Sequence, residues 1–207
     1  MEIAEIKKEK KHLCRLVFTD GKEVLIDTDV CNDYCLKAGD ILSEERLSEI
    51  AETSDYNRAK SRALWYLDRS WLTEKALYDK LCRADFDKKA SARVIARLKE
   101  LGFLDDRKYA EYFAEKCINA NISKRDAYQK MILKGVPRHI ANEVLCDLEP
   151  DENAQIKELL NKKYRTKLEN PENVKKVYAA LIRKGFSFGA VKEALKKYSE
   201  ELSMTEY

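Results

Sequence analysis

The sequence has few of the residues that break helices and shape tight turns, with only 3 prolines and 6 glycines among 207 residues. This scarcity argues against a collagen-like chain and against a many-turned β-sandwich or barrel, and it favours helices. Hydrophobic residues make up 44% of the chain and charged residues 37%, which argues against disorder. The sequence also lacks an apolar run near the ~20 residues of a membrane span and lacks a secretory signal. We therefore expect a cytoplasmic protein that does not bind membranes.

Metal ligands and catalytic motifs are scarce as well. Cys31 and Cys35 could supply half of a zinc site, but the chain has only two histidines, His12 and His139, and no second cysteine pair at ligand spacing. No phosphate-binding glycine loop and no nucleophile motif is present. The sequence therefore predicts a protein that is not an enzyme and that carries no metal or other cofactor, with six reduced cysteines.

Charge is distributed unevenly along the chain. Residues 1–58 carry 9 Lys and Arg against 14 Asp and Glu, whereas residues 59–207 carry 31 against 23. A moderately basic C-terminal part is compatible with nucleic acid or with an acidic protein surface as partner. Charge alone does not decide between them.

The first 56 residues read as a small α+β segment with a β-hairpin. Two β-rich runs between positions 12 and 27 flank Asp20-Gly21, a dipeptide that favours a tight hairpin turn. Ile3 and Ile6 allow a third strand before the hairpin. Short helical turns are expected at 30–38 and 43–51.

From residue 57 the sequence predicts helices, and the pattern repeats with a period of 50 residues. Apolar residues recur in register three times, at Leu77 and Leu81, Ala127 and Met131, and Val177 and Leu181. Three tandem three-helix repeats explain this register, at 57–105, 106–150 and 151–207. We expect their first helices at about 57–69, 106–120 and 151–168. The fold class is therefore mainly α, an elongated and gently curved array preceded by the α+β segment, and we expect a monomer.

A family resemblance becomes specific where the first two repeats join. The string Gly102-Phe103-Leu104-Asp105-Asp106 in that repeat context resembles the signature of the RecX family, the regulators of the RecA recombinase. Asp68-Arg69-Ser70 and Lys134-Gly135-Val136-Pro137 resemble further family motifs, and the match runs over 59–198. One departure lies at 83–86, where the first repeat lacks the lysine-glycine pair of the family turn.

The resemblance implies a regulatory protein of homologous recombination and DNA repair. RecX-like proteins bind the RecA filament on single-stranded DNA and restrain its recombinase, ATPase and co-protease activities, sometimes with weak direct DNA binding. An array of three modules suits such a filament, because weak contacts to neighbouring subunits add up.

The candidate contact residues lie in the first repeat. Lys89, Arg93 and Arg97 form a basic stripe at a spacing of four, which the equivalent positions of the other repeats do not share. Between 59 and 100 there are 11 Lys and Arg against 6 Asp and Glu. A solvated helix face is the alternative explanation of the stripe. The candidates for contact with the RecA filament or DNA are Arg62, Arg69, Lys80, Arg83, Lys89, Arg93 and Arg97.

Other conspicuous residues have structural explanations. Adjacent Asp105 and Asp106 are expected to cap a helix rather than hold a metal. Trp65 and Trp71 are expected to pack, with Trp71, in the loop after Ser70, the better candidate for exposure. The tyrosines at 78, 128 and 178 are expected to be core aromatics with a hydroxyl at the surface. Two other functions stay open: a helix-turn-helix regulator that reads DNA, and a helical-repeat scaffold for an unrelated protein.

Overall fold

The computed structural model describes residues 1–10 and 12–205, and the chain divides into two compact units, Met1–Leu104 and Asp105–Tyr207. The described chain is mostly helical, with one small antiparallel sheet in the first unit. This confirms the fold class predicted from the sequence, a mainly helical protein with an N-terminal α+β segment. Within the described residues, no helix is long and apolar enough to cross a bilayer.

The first unit begins with a three-stranded antiparallel sheet in the order β1-β2-β3. Its strands are β1 (Ile3–Lys10), β2 (Leu13–Phe18) and β3 (Glu23–Asp27), followed by the short helix α1 (Thr28–Asp33). Gly21 takes a φ of 84° in the turn between β2 and β3, which few residues other than glycine adopt readily. The hairpin and the third strand expected from the sequence are both present.

One long helix, α2 (Glu44–Arg69), follows the sheet. Ser43 caps it, because the Ser43 hydroxyl accepts a hydrogen bond from the Arg46 amide at 3.2 Å. The sequence predicts a short helical turn at 43–51 and a separate helix from Asn57, and this prediction is wrong because the helix is continuous from Glu44 to Arg69. Ser54 is fully buried in its middle and accepts a hydrogen bond from the Asp27 amide at 2.8 Å, which ties the helix to β3.

The first three-helix repeat is completed by α3 (Glu74–Arg83) and α4 (Lys88–Glu100). Thr73 and Asp87 cap these helices through their side chains. Its core is formed by buried apolar residues of all three helices, Ala59, Ala63, Leu77, Leu81, Val94, Ile95 and Leu98, with Leu104 from the chain beyond α4.

The second unit holds the other two repeats. The middle repeat consists of α5 (Asp106–Asn119), α6 (Lys124–Leu133) and α7 (Arg138–Cys146). The last repeat begins with α8 (Glu152–Leu159), a π-helical turn (Leu160–Tyr164) and α9 (Arg165–Leu168), and a 3₁₀ turn (Pro171–Asn173) leads into α10 (Val174–Arg183) and α11 (Phe188–Thr205). Each repeat has its own hydrophobic core.

The period of 50 predicted from the sequence is visible in the buried positions. Leu81, Met131 and Leu181 are all fully buried, and the residues four positions before them are at most 2% exposed. The tyrosines at 78, 128 and 178 are half-buried against their cores, as expected. The boundaries of the repeats stay a prediction.

The turn after the second helix of each repeat also keeps one geometry. Gly135 and Gly185 have φ angles of 92° and 88°, and Asp85 takes the equivalent position with a φ of 61°. In each repeat the amide of the next residue donates to a carbonyl five positions back, at 3.0 to 3.3 Å. The missing lysine-glycine pair of the first repeat therefore leaves the turn intact, because aspartate tolerates the left-handed region better than most residues.

Candidate anion-binding surface

The C-terminal half of α2 carries basic and aromatic residues on one face. Arg62, Trp65, Tyr66 and Arg69 recur at the i, i+3, i+4 and i+7 spacing that brings side chains together on a helix. Trp65 is 44% exposed, and Trp71, just beyond the helix, is 62% exposed. Both packing expectations are therefore wrong for these tryptophans.

Cations lie over these rings in what we call the aromatic–cation cluster, formed by Arg62, Trp65, Tyr66, Arg69 and Lys80. The Arg69 Cζ atom is 3.7 Å from the Trp65 ring centroid, and the Arg62 Cζ atom is 5.3 Å from it. Lys80 reaches across from α3, with its Nζ atom 5.0 Å from the centroid of Tyr66. The two rings pack edge to face, with centroids 5.3 Å apart. The structure thus brings together three of the seven candidate residues.

This arrangement fixes the cations while leaving them able to bind an anion. An exposed cation–π contact contributes about 0.5–1 kcal/mol, enough to bias the rotamers of a flexible arginine. Arg69 also donates from Nη1 to the Trp65 carbonyl at 3.1 Å. Its carboxylate neighbour Asp68 is 3.9 Å away and largely exposed, so this ion pair is weak. The remaining N–H groups of the arginines are suited to phosphate or carboxylate oxygens.

The basic stripe of α4 has a different environment. Lys89 forms an ion pair with Glu52 of α2 at 3.1 Å, and Arg97 forms one with Glu100 at 3.0 Å. The Arg93 Cζ atom lies 5.1 Å from the ring centroid of Tyr56. Two of the three cations are therefore partly neutralised by carboxylates.

The start of α4 adds a further negative charge. Asp87 accepts hydrogen bonds from the Ala90 amide at 3.0 Å and the Lys89 amide at 2.7 Å. These backbone donors, above all the Ala90 amide, lower the pKa of the Asp87 carboxyl, so the group stays ionised. The net positive potential of the stripe is smaller than its sequence indicates.

The two basic regions do not form one patch. At 3.6 residues per turn, Trp65 lies about 180° around α2 from Tyr56, the residue that contacts the α4 stripe. Arg83 contacts its own helix instead, because its Nε atom donates to the Asp79 carbonyl of α3 at 3.2 Å. The seven candidates therefore divide into the aromatic–cation cluster, the α4 stripe and Arg83 by itself.

The cations of the cluster are predicted from the sequence, whereas Trp65 and Tyr66 are not among the predicted site residues. The i, i+3, i+4, i+7 spacing of these rings and arginines could have indicated the cluster, because it places cations on the same helix face as the rings, unlike a buried apolar face. The adjacent aspartates behave as expected: Asp105 caps α5 by accepting from the amides of Arg107 and Lys108, both at 3.0 Å. Among the residues that the structure describes, no group of His, Cys, Asp and Glu side chains is arranged to hold a metal ion.

The family models and the sequence relatives that match this chain all belong to one family. The family model described as "RecX, first three-helix domain" matches residues 59–98, and the model described as "RecX, third three-helix domain" matches residues 151–195. The regulatory protein RecX of Clostridium tetani is 31% identical over 198 residues, with 93% of this chain and 91% of that protein covered. The regulatory protein RecX of Streptococcus sanguinis is 31% identical as well, over 94% of this chain and 76% of that protein.

Solved structures agree with the sequence relatives. A crystal structure of regulatory protein RecX superimposes with a TM-score of 0.68 at 25% identity, over 95% of this chain and 98% of that chain. A crystal structure of RecX from Lactobacillus salivarius, at 21% identity and a TM-score of 0.62, supports the fold over 70% of this chain and 97% of that one. From the shared repeats, the matched domains and these relatives, we conclude that the chain belongs to the RecX family of regulatory proteins.

Proposed function

We propose that this protein binds the RecA filament assembled on single-stranded DNA and lowers its recombinase, ATPase and co-protease activities. Family membership supports the regulatory role, and the aromatic–cation cluster is the observation that supports a contact with an anionic partner. The protein acts as a cytoplasmic monomer by occupying the filament, not by catalysing a reaction, and it needs no cofactor.

The aromatic–cation cluster is the better of the two basic regions for this contact. Arg62 and Arg69 are held against exposed rings, whereas Lys89 and Arg97 already have carboxylate partners. Guanidinium groups next to an exposed ring can bind a phosphate while the ring stacks on a base, or bind a carboxylate of a protein subunit. Arg83, Lys89, Arg93 and Arg97 then contribute to the surrounding positive potential.

A helix-turn-helix reader of duplex DNA has less support. Such a protein places a recognition helix in the major groove, and α4 would be that helix in the first repeat. Its basic residues are paired with Glu52 and Glu100, so insertion beside phosphates would bring these carboxylates close to the DNA backbone. The unrelated-scaffold alternative is tested by the assay below.

The experiment follows ATP turnover by a recombinase assembled on single-stranded DNA while the protein is titrated in. We expect the wild-type chain to lower ATP turnover. The double variant Arg62→Glu with Arg69→Glu should require a protein concentration at least about tenfold higher for the same reduction. Lys75→Glu with Lys88→Glu is the matched control, because it makes the same charge change at two exposed lysines of the first unit outside the candidate set.

Two further variants separate charge from stacking. Arg62→Lys with Arg69→Lys keeps the charge and removes the planar contact with the ring, so we expect a smaller loss than with glutamate. Equal loss in the Lys75 and Lys88 control would assign the effect to overall charge and would remove the cluster as the site. A wild-type protein that leaves ATP turnover unchanged would contradict the proposed function itself.

A further inference from the structure

The second unit carries a surface to which the proposed function assigns no role. An open groove of about 530 Å³ runs beside α10, and it is lined by Lys176, Tyr178, Ala179, Ile182, Arg183 and Phe188. A neighbouring depression of about 460 Å³ shares Ile182 and Arg183 and is bordered by Arg125 of α6. We call this combined surface the α10 groove.

The floor of the α10 groove is apolar. Tyr178 and Ile182 stand four residues apart on α10, so they lie on the same helix face and are half-buried. Phe188, the first residue of α11, is 68% exposed beside them. Exposure of a phenylalanine side chain to water next to an open apolar groove is unfavourable, so burial of this ring against another apolar side chain lowers the free energy.

The rim of the α10 groove is positively charged. Arg125 and Arg183 are exposed, and neither has an ion pair or hydrogen-bond partner within the described part of the chain. Lys176 donates to the Asn173 side chain at 3.2 Å, which leaves its charge uncompensated. Asp126 is the one carboxylate among the described residues that line the groove, and Lys130 already pairs with it at 2.5 Å.

The groove is also held in shape before any partner binds. The Ser123 hydroxyl donates to the Lys184 carbonyl at 2.6 Å, which joins the start of α6 to the turn after α10. Gly185 allows this approach, because a Cβ atom there would lie 2.7 Å from the Ser123 Oγ atom and 3.0 Å from the Arg125 Cβ atom. A surface that is already ordered loses less conformational entropy on binding.

We propose that the α10 groove docks an acidic segment of a partner protein. The segment inserts one bulky apolar side chain between Ile182 and Phe188. Its carboxylates accept bidentate hydrogen bonds from the guanidinium groups of Arg125 and Arg183. Charge complementarity fixes the sign of the partner, and the apolar floor requires an amphipathic segment instead of a purely acidic one.

Single-stranded nucleic acid fits this surface less well than a peptide does. Base stacking needs open ring faces, and of the two rings here Tyr178 is half-buried while the rest of the floor is the aliphatic pair Ala179 and Ile182. The rings and arginines of the first unit offer more for bases. The second unit therefore contributes a protein contact that is separate from the aromatic–cation cluster.

The test measures binding of fluorescent peptides to the full chain by anisotropy at low salt. Each probe peptide has one leucine, phenylalanine or tyrosine among glutamates and aspartates, and its reference peptide has serine at that position. We expect the best probe to bind about tenfold more tightly than its serine reference. Phe188→Ala should remove this difference, and Arg125→Glu with Arg183→Glu should weaken both peptides by about tenfold or more.

Matched controls come from the same unit and lie outside the groove. Leu133→Ala removes a side chain that is 86% exposed, and Arg138→Glu reverses an exposed cation at the start of α7, so both should bind the probe like the wild type. All these positions are exposed, and far-UV circular dichroism should be unchanged throughout.

Two outcomes would overturn the docking proposal. One is that no probe in the set binds more tightly than its serine reference. The other is that an oligothymidylate displaces the probe and loses affinity in the same variants, which would make the α10 groove a nucleic-acid site. No recombinase is present in this assay, so its result is independent of the ATP turnover measurement that tests the proposed function.

Discussion

Single cysteines illustrate how burial sets the chemistry of a residue. Cys14 lies in the sheet with 2% of its surface exposed, and its thiol donates to the Ile26 carbonyl at 3.7 Å. Burial, reinforced by a hydrogen bond with Cys31, raises the pKa of the Cys14 thiol to about 12. Burial raises the pKa of the Cys117 thiol as well. Cys35 and Cys146 are exposed.

These environments predict the order in which the thiols react. Only the thiolate is nucleophilic, so at about pH 8 we expect iodoacetamide to label Cys35 and Cys146 first and to leave Cys14 and Cys117 unlabelled in the folded protein. The raised pKa of the Cys14 thiol keeps this group protonated at that pH. Peptide mass spectrometry after timed quenching gives the rates, and a denatured sample shows that all sites can react. Labelling of Cys14 as fast as Cys35 would contradict this account.

The role of a residue was predictable where its sequence neighbours determine it, and not where tertiary packing determines which face of a helix is exposed. The caps formed by Ser43 and Asp105 follow from short side chains that accept from free amides at a helix start. Trp65 was expected to pack because large aromatic residues usually do. Its exposure depends on which face of α2 the rest of the unit covers, and only the tertiary structure gives that.

At the scale of elements, the turn after the second helix has the same geometry in all three repeats. The sequence period of 50 made an equivalent turn in each repeat predictable, and the same buried positions and the same positive φ do recur there. The continuity of α2 was not predictable in the same way. The buried positions in its middle are Ser54, Ala59 and Ala63, which are too small or too polar to give a clear apolar stripe.

The turn between α10 and α11 should tolerate an added side chain poorly. We expect Gly185→Ala to lower the free energy of unfolding by more than Gly102→Ala does. Both residues have positive φ, at 88° and 75°, which costs about 1–2 kcal/mol for alanine. Only at Gly185 does the new methyl group meet neighbours, with Ser123 Oγ at 2.7 Å, and the displaced contact costs about 1–3 kcal/mol more.

Urea unfolding of the two alanine variants measures this difference. Ser123 is 1% exposed and already donates to Lys184, so it cannot rotate away without losing that bond. At Gly102 no atom lies within 4 Å of the added methyl group, which makes it the control for backbone strain alone. Equal losses of stability at both sites would mean that the turn relaxes and that the close approach to α6 is unimportant.

On the scale of the whole molecule, the two compact units each contain two hydrophobic cores. In the first unit a single helix serves both cores. Leu47 and Ile50 of α2 pack with the sheet, whereas Ala59 and Ala63 of the same helix pack in the first repeat. A helix is cooperative along its length, so loss of one end weakens the other. The α+β segment and the first repeat therefore form one stability unit.

This coupling predicts that a substitution that destabilises the sheet also destabilises the first repeat. Ile26 is fully buried in the sheet core, and Ile26→Ala should lower the free energy of unfolding by about 2–5 kcal/mol. If α2 couples the cores, amide hydrogen exchange in α3 and α4 speeds up together with exchange in β2. Leu25→Ala, at a neighbouring position that is 43% exposed, should leave all three elements protected. Faster exchange in β2 with unchanged protection of α3 and α4 would show that α2 frays between the cores and that the sheet unfolds alone.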